Sequence, residues 1–231
     1  MRKILPVLPA LLFTFLFVSC GSSKYYTNNL FEQQTAHHKV VAILPAEMIF
    51  SGKLPKDLSA EDIITIEETE SRSFQHSLYN SILRYANNRN YYTRVNLQDL
   101  STTQKLLEDA GISIRDSWKQ DDKTLAKILG VDAVVRMRIE KKRYMSDLAS
   151  MSIDMGRQIL TRTVSAIKFP IPSVSNKTND ITASCNVVSN SLTLWNDNYK
   201  QGTNYNMPSD KVIEEITNSF GKHFPYKQRN G

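Results

Sequence analysis

Glycine is scarce and scattered. The eight glycines lie at least ten positions apart, so the chain has neither a Gly-x-Gly dinucleotide fingerprint nor a Walker-type phosphate loop, both of which need close glycines to bring backbone amides to a phosphate. There is no His-Glu-x-x-His, no Cys-x-x-Cys and no Gly-x-Ser-x-Gly elbow. The four histidines, at 37, 38, 76 and 223, have no ligand spacing. Metal, cofactor and triad chemistry therefore have no motif to stand on, and no cofactor is expected. Cysteine is almost absent: the chain has two, Cys20 and Cys185. Long apolar runs are absent too, with one exception at the amino terminus.

That exception, Ile4 to Val18, follows Arg2 and Lys3 and precedes Ser19-Cys20-Gly21, the charged, apolar, small-residue order of a secretory signal. As a helix it would span only ~22 Å, short of a ~30 Å bilayer core. Phe17-Val18-Ser19-Cys20 resembles the lipobox of bacterial lipoproteins, with Phe17 where leucine is usual. The resemblance implies cleavage between Ser19 and Cys20, acylation of Cys20 and anchoring to the membrane through it. An ordinary signal peptide cut nearby, leaving Cys20 free, is the alternative. With Cys20 acylated, Cys185 is the one remaining thiol and no intramolecular disulfide can form. Loss of residues 1–19 removes two cations and lowers the net charge from +6 to +4, too mild a balance to imply nucleic acid. Gly21-Ser22-Ser23 lacks an inner-membrane retention aspartate and an acidic surface-export run, which favours the periplasmic side of the outer membrane.

Residues 20–39, the lipidated cysteine and a polar stretch with no apolar period, read as a flexible tether, whose 19 residues after Cys20 would reach roughly 25 Å. His37 and His38 read as solvent-facing. A domain over residues 40–226 follows, with 227–231 as a tail. Val40-Val41-Ala42-Ile43-Leu44-Pro45 suits a central strand buried on both faces and stopped by proline. Ser59-Ala60-Glu61-Asp62 predicts a capped start to a long helix carrying Phe74, Leu78, Ile82 and Tyr85 inward, to about Arg89. Tyr91 to Val95 predicts a second strand. Ser101-Thr102-Thr103-Gln104 predicts the start of a short helix ending at Gly111, and Asp122 to Leu129 a second one closed by Gly130.

Alternation from Ala133 to Ile139 predicts a strand with Ala133, Val135, Met137 and Ile139 on its packed face. Residues 145–180 are irregular and read as an insertion, with Leu148, Met151, Met155 and Ile159 on a helical stripe and no long alternating segments suited to membrane hairpins. A hairpin is expected from Ile181 to Met207, turning at Asn196-Asp197-Asn198. Pro208-Ser209-Asp210 then starts a last helix with Val212, Ile213, Ile216 and Phe220 inward, ended by Gly221 and Pro225. The sum is an α/β (mixed α+β) single domain: a mixed β-sheet of about five strands with packed helices.

Three segments, Val41-Ala42-Ile43-Leu44-Pro45, Leu129-Gly130-Val131-Asp132-Ala133-Val134-Val135 and Ser191-Leu192-Thr193-Leu194-Trp195, in this order behind a lipobox, resemble the superfamily of the TolB amino-terminal domain and the periplasmic domain of the curli secretion lipoprotein. The resemblance implies a non-enzymatic envelope protein that works by binding partners or by assembling into rings, and it implies no catalytic residue. Three functions compete: a lipid-anchored interaction module in envelope assembly or maintenance, a subunit of an oligomeric secretion or pore complex, and an enzyme of unrecognised class. Partners would be the membrane, through Cys20, and envelope proteins, with self-association open and nucleic acid not expected.

Candidate contact residues are few. Trp195 and Tyr199 flank the expected turn, and each reads as a partner anchor or, for Trp195, equally as core. Arg136 and Arg138, in the basic run that continues through Lys141, Lys142 and Arg143, could meet an acidic partner or lipid head group, or be a solvated face near a sheet edge. Glu67, Glu68 and Glu70 read as a solvated charge run on a helix.

Overall fold

The computed structural model describes residues 25–51, 59–143, 179–203 and 209–231. The apolar run at 40–44 forms β2 (Val40–Ile43), and its Val41, Ala42, Ile43 and Leu44 are fully enclosed, as a strand covered on both faces must be. Pro45 interrupts the strand without taking the chain out of the sheet. Leu44 still donates its amide to Val135 at 3.0 Å, and β3 (Glu47–Ser51) resumes pairing along β6 (Ala133–Arg143) beyond the end of β2.

Strand β6 is the spine of the sheet. It pairs parallel to β2 and β3 on one side and antiparallel to β7 (Asn179–Ser189) on the other, in register from Val134–Val188 to Arg143–Asn179. Next to β7 lies β8 (Leu192–Thr203), and outside β8 lies β1 (Tyr25–Thr27). The short β5 (Asn96–Leu97) flanks β2. The described residues form a seven-stranded mixed sheet, β1-β8-β7-β6-β2-β5 with β3 against β6, more than the five or so expected, because β1, β3 and β5 are too short or too abruptly started to show a period in sequence. A separate ribbon pairs β4 (Tyr91–Thr93) with β9 (Lys227–Arg229). The last residues are therefore paired structure and not a tail. The mixed sheet with helices packed on it is the fold class that the sequence predicts.

One face is covered by α2 (Ala60–Ala86) and α6 (Ser209–Lys222). Phe74, Leu78 and Ile82 of α2 and Ile216 and Phe220 of α6 meet Val135, Met137, Ile139, Ala183, Cys185 and Trp195 from the sheet. Each such large apolar side chain contributes about 1.5–3 kcal/mol on burial. Among the described residues the other face is covered at one end, by α3 (Leu100–Asp109) and α5 (Asp122–Leu129), where Leu107, Leu125 and Leu129 pack on Ala42, Leu44, Val134 and Val188.

Local signals hold where they are strong. Ser59 and Asp62 exchange side chain and backbone at 3.1 and 3.0 Å in a capping box, and Asp121 and Gly130 close the two ends of α5, the glycine at φ 65°. Others moved. Asp99, and not Ser101, caps α3, its carboxylate accepting the Ser101 amide at 2.8 Å. The hairpin turns at Asn190 and Ser191, both at positive φ, while Asn196-Asp197-Asn198 runs through the middle of β8. Gly221 does not end α6. It lies inside the helix, where it lets α6 approach α2 at Ser81.

The segment expected to be a tether is folded from Tyr25 onward. Strand β1 pairs with β8, and α1 (Phe31–Thr35) buries Phe31 and Thr35 against the domain. The insertion expected at 145–180 lies outside the described residues except for Asn179 and Asp180, which open the described part of β7; Asn179 is the direct partner of Arg143, the last described residue of β6.

Candidate interaction surface

Strand alternation divides the basic run of β6. Arg136 faces α4 (Ile114–Lys119) and α5, with its guanidinium on the Asp122 carboxylate and on the carbonyls of Ser117 and Trp118, at 3.1 and 3.2 Å, and of Gln120. These contacts pin the α4–α5 joint to the sheet, so Arg136 is a structural cation. Arg138, two residues on, leaves 57% of its side chain exposed and reaches Glu47 at 3.3 Å. Lys141 has the opposite parity and is buried on Glu70, with the Phe50 ring 5.5 Å away.

Trp195 is fully buried in the core between the sheet and α6, which removes it as a partner anchor. Its parity along β8 points it inward, and the turn expected beside it lies elsewhere. Tyr199 is half-buried against the same core, and burial followed by the Glu215 charge raises its phenol above the usual value. Ser19 and Cys20 lie outside the described residues.

Among the described residues, part of the second face lies beyond the cover of α3 and α5. A cleft of about 190 Å³, lined by Pro45, Glu47, Trp118, Arg136, Met137, Arg138 and Asn186, sits at the carboxyl end of β2, the position where open α/β sheets most often receive ligands. From Asn186 the polar surface continues outward: Asn196 donates to Asn186 at 2.5 Å, and Asn198 donates to Asn196. Thr182, Asn198 and Lys200 on this face are exposed, and Ser184 is half-buried. A second hollow of about 160 Å³ lies across Pro45 between α2 and α3, with Arg72, Gln75, Gln104 and Glu108 among its walls.

Three polar knots lie away from this face. His38 Nδ1 and the Tyr226 hydroxyl are 2.7 Å apart, while Arg94 stacks over Phe31 and Tyr226 and pairs with Glu32 at 2.8 Å. Burial, with Arg94 adding to it and Asp132 opposing, holds His38 below its ordinary value. Burial pushes Asp132 up, but the amides of Lys39 and Val40, at 2.6 and 2.9 Å, hold its carboxyl below the usual range. Ser189 Oγ lies 3.4 Å from His38 Nε2 but donates to the Asp132 carbonyl at 2.8 Å. Its proton is committed, and among the described residues no carboxylate is hydrogen-bonded to the imidazole.

In the second knot His223 Nδ1 meets the buried Asp197 carboxylate at 2.9 Å and its ring stacks on Tyr25 at 4.9 Å. The nearby Cys185 thiol is held well above its ordinary value by burial and then by Asp197, so it is a core side chain and no nucleophile. The third knot corrects the reading of the acidic run: Glu67 and Glu70 are buried, paired with Arg115 at 3.0 Å and with Lys141 respectively, and burial raises Glu67. Helix periodicity turns these two toward the sheet and α4. Among the described residues no cluster of His, Cys, Asp and Glu could hold a metal ion, and no helix is long and apolar enough to cross a membrane.

No known family and no curated protein matches this chain. Solved structures similar to it include the lipoprotein GNA1162 from Neisseria meningitidis, at 9% identity and a TM-score of 0.42, covering 80% of this chain and 96% of that one. The carboxy-terminal domain of LpoB from Salmonella enterica matches at 9% identity and 0.37, over 75% and 93% of the two chains. A PelC dodecamer from Paraburkholderia phytofirmans matches at 8% and 0.36, over 80% and 85%. These likenesses are remote and carry no role across.

The sequence signals that mark these features are partial. Ser113-Ile114-Arg115-Asp116 is a capping sequence for the unanticipated α4, with Ser113 accepting the Asp116 amide at 3.1 Å. The His38–Tyr226 and Asp197–His223 contacts join residues 188 and 26 positions apart, and no local pattern announces them.

Proposed function

We propose that the chain is a bacterial lipoprotein, cut between Ser19 and Cys20 and acylated on Cys20, whose mixed α/β domain works without catalysis as an interaction module on the periplasmic side of the outer membrane. The observation that carries the reading is the order of the first 20 residues: two cations, an apolar run too short to span, small residues, cysteine. The likeness of the 41–45, 129–135 and 191–195 segments to the TolB and curli-secretion superfamily supports an envelope role. Those segments fall on β2, on the α5–β6 junction and on the start of β8. The contact surface is the polar face beyond α3 and α5, with Arg138, Asn186 and Asn198 as its recognising groups. Amides and one exposed guanidinium suit a hydrogen-bonding protein partner better than an apolar one.

Cys20→Ala tests the anchor. The variant is expected to move from the detergent phase to the aqueous phase and to retain its signal segment, because acyl chains dominate the membrane affinity of such a protein. A variant that partitions like the wild type would sink the lipoprotein reading. A photo-crosslinker at position 198 in intact cells tests the surface. Adducts with a discrete envelope protein support the module, and adducts made only of further copies of this chain favour a homo-oligomeric complex.

A further inference from the structure

The distance between the anchor and the domain is short. Tyr25 is the fifth residue after Cys20 and is already paired to Asp197 in the sheet, so the intervening chain can reach at most roughly 18 Å even when fully extended. A domain so tethered cannot stand clear of the surface that holds its acyl chains; the edge on which β1 lies has to face that surface. This edge has the composition of an interfacial contact. Tyr25 and Tyr26 are 42% and 57% exposed. Alternation along β1 places one on each side of the outermost strand, Tyr25 against His223 on the helical side and Tyr26 beside Asn196 on the polar side. Tyrosine favours the boundary between acyl chains and water, where its ring is apolar and its hydroxyl wet. Lys200, exposed farther along β8, adds a cation for lipid phosphates. The outer edge of β1 has no partner strand among the described residues, and an open edge is a liability that a membrane surface would cover.

We propose that the β1 edge, with Tyr25 and Tyr26 astride it and Lys200 alongside, lies on the lipid surface to which Cys20 is anchored. The sheet then stands edge-on to the membrane, and the polar face around Arg138 and Asn186 looks sideways along it, toward partners in the same plane. The inference rests on acylation of Cys20.

The test uses the full acylated lipoprotein in vesicles of phosphatidylethanolamine and phosphatidylglycerol. A nitroxide is attached at Tyr26→Cys, at Tyr25→Cys as a second position, and at Tyr92→Cys on the β4–β9 ribbon as control; the fully buried Cys185 does not compete for label. Labels at 26 and 25 are expected to collide several-fold less with a water-soluble nickel chelate, and more with oxygen, than the label at 92. Equal accessibility at all three positions, with the protein still floating with the vesicles, overturns the edge-on arrangement and leaves the anchor intact. Protein that does not float with the vesicles overturns the anchor, and the arrangement with it. Spin–spin broadening between labels at 26, present with or without vesicles, assigns the edge to a second copy and also overturns the proposal.

Discussion

Adjacent histidines 37 and 38 have the same sequence surroundings and opposite fates: His37 is exposed, and His38 is drawn in by a tyrosine 188 positions later. The consequence is a sign for the pH dependence of stability. Burial, opposed by Asp132 and aided by Arg94, holds the folded His38 below its ordinary 6.5. The unfolded chain therefore binds a proton near pH 6.5 that the folded protein does not, and stability falls as pH drops from there toward the folded value. Above 6.5 this group contributes no slope. In urea unfolding, the wild-type midpoint is expected to fall more steeply between neutral pH and about pH 5 than that of His38→Gln, which keeps a polar partner for Tyr226 but cannot titrate. Parallel slopes in the two proteins would assign the effect to other groups.

At the scale of elements, the capping chemistry was readable because it is local: Ser59 with Asp62 and Asp121 with Gly130 each lie within one element. Misreadings arose where a residue type has two uses. Asn196-Asp197-Asn198 has the composition of a turn, yet Asp197 is enclosed and bound to His223, and the turn is made by Asn190 and Ser191. Glycine 221 resembles a helix terminator but is a contact residue. A Cβ there would lie 2.4 Å from Ser81 Oγ and 2.9 Å from the Ser81 carbonyl carbon, at a crossing already fixed by Ser77–Thr217 at 2.7 Å and Ser81–Asn218 at 3.0 Å. In an exposed helix interior Gly→Ala gains up to ~1 kcal/mol; here overpacking reverses the sign, and Gly221→Ala is expected to lose about 1–3 kcal/mol in chemical denaturation. Adding Ser81→Ala should not restore it, because the backbone carbon stays in place. A stabilised Gly221→Ala protein would show that the two helices are not held at this separation.

At the scale of the molecule, the sequence revealed the central sheet strands and the long helices, whose apolar periods are long, and concealed the boundaries. Three-residue strands such as β1 and β9 have no period to read, and the polar composition of residues 21–39 hides one buried aromatic, Phe31, that depends on Tyr226, Phe224 and Arg94 from distant parts of the chain. The position of the domain's true start is testable with two acyl-free chains, one beginning at residue 25 and one at residue 40. The shorter chain loses Phe31, which is 3% exposed, along with the His38–Tyr226 hydrogen bond and the cover of β1 over β8. Burial of the phenylalanine and one partly buried hydrogen bond together amount to roughly 3 kcal/mol. In a chain of this size each kcal/mol moves the melting temperature by about 2–4 °C, so the residue-40 chain should melt roughly 6–12 °C below the residue-25 chain and exchange its Tyr226 and Trp195 amides faster. Identical melting curves would return residues 25–39 to the role of a tether, restore the long reach from the membrane that such a tether gives, and remove the geometric basis for an edge-on domain.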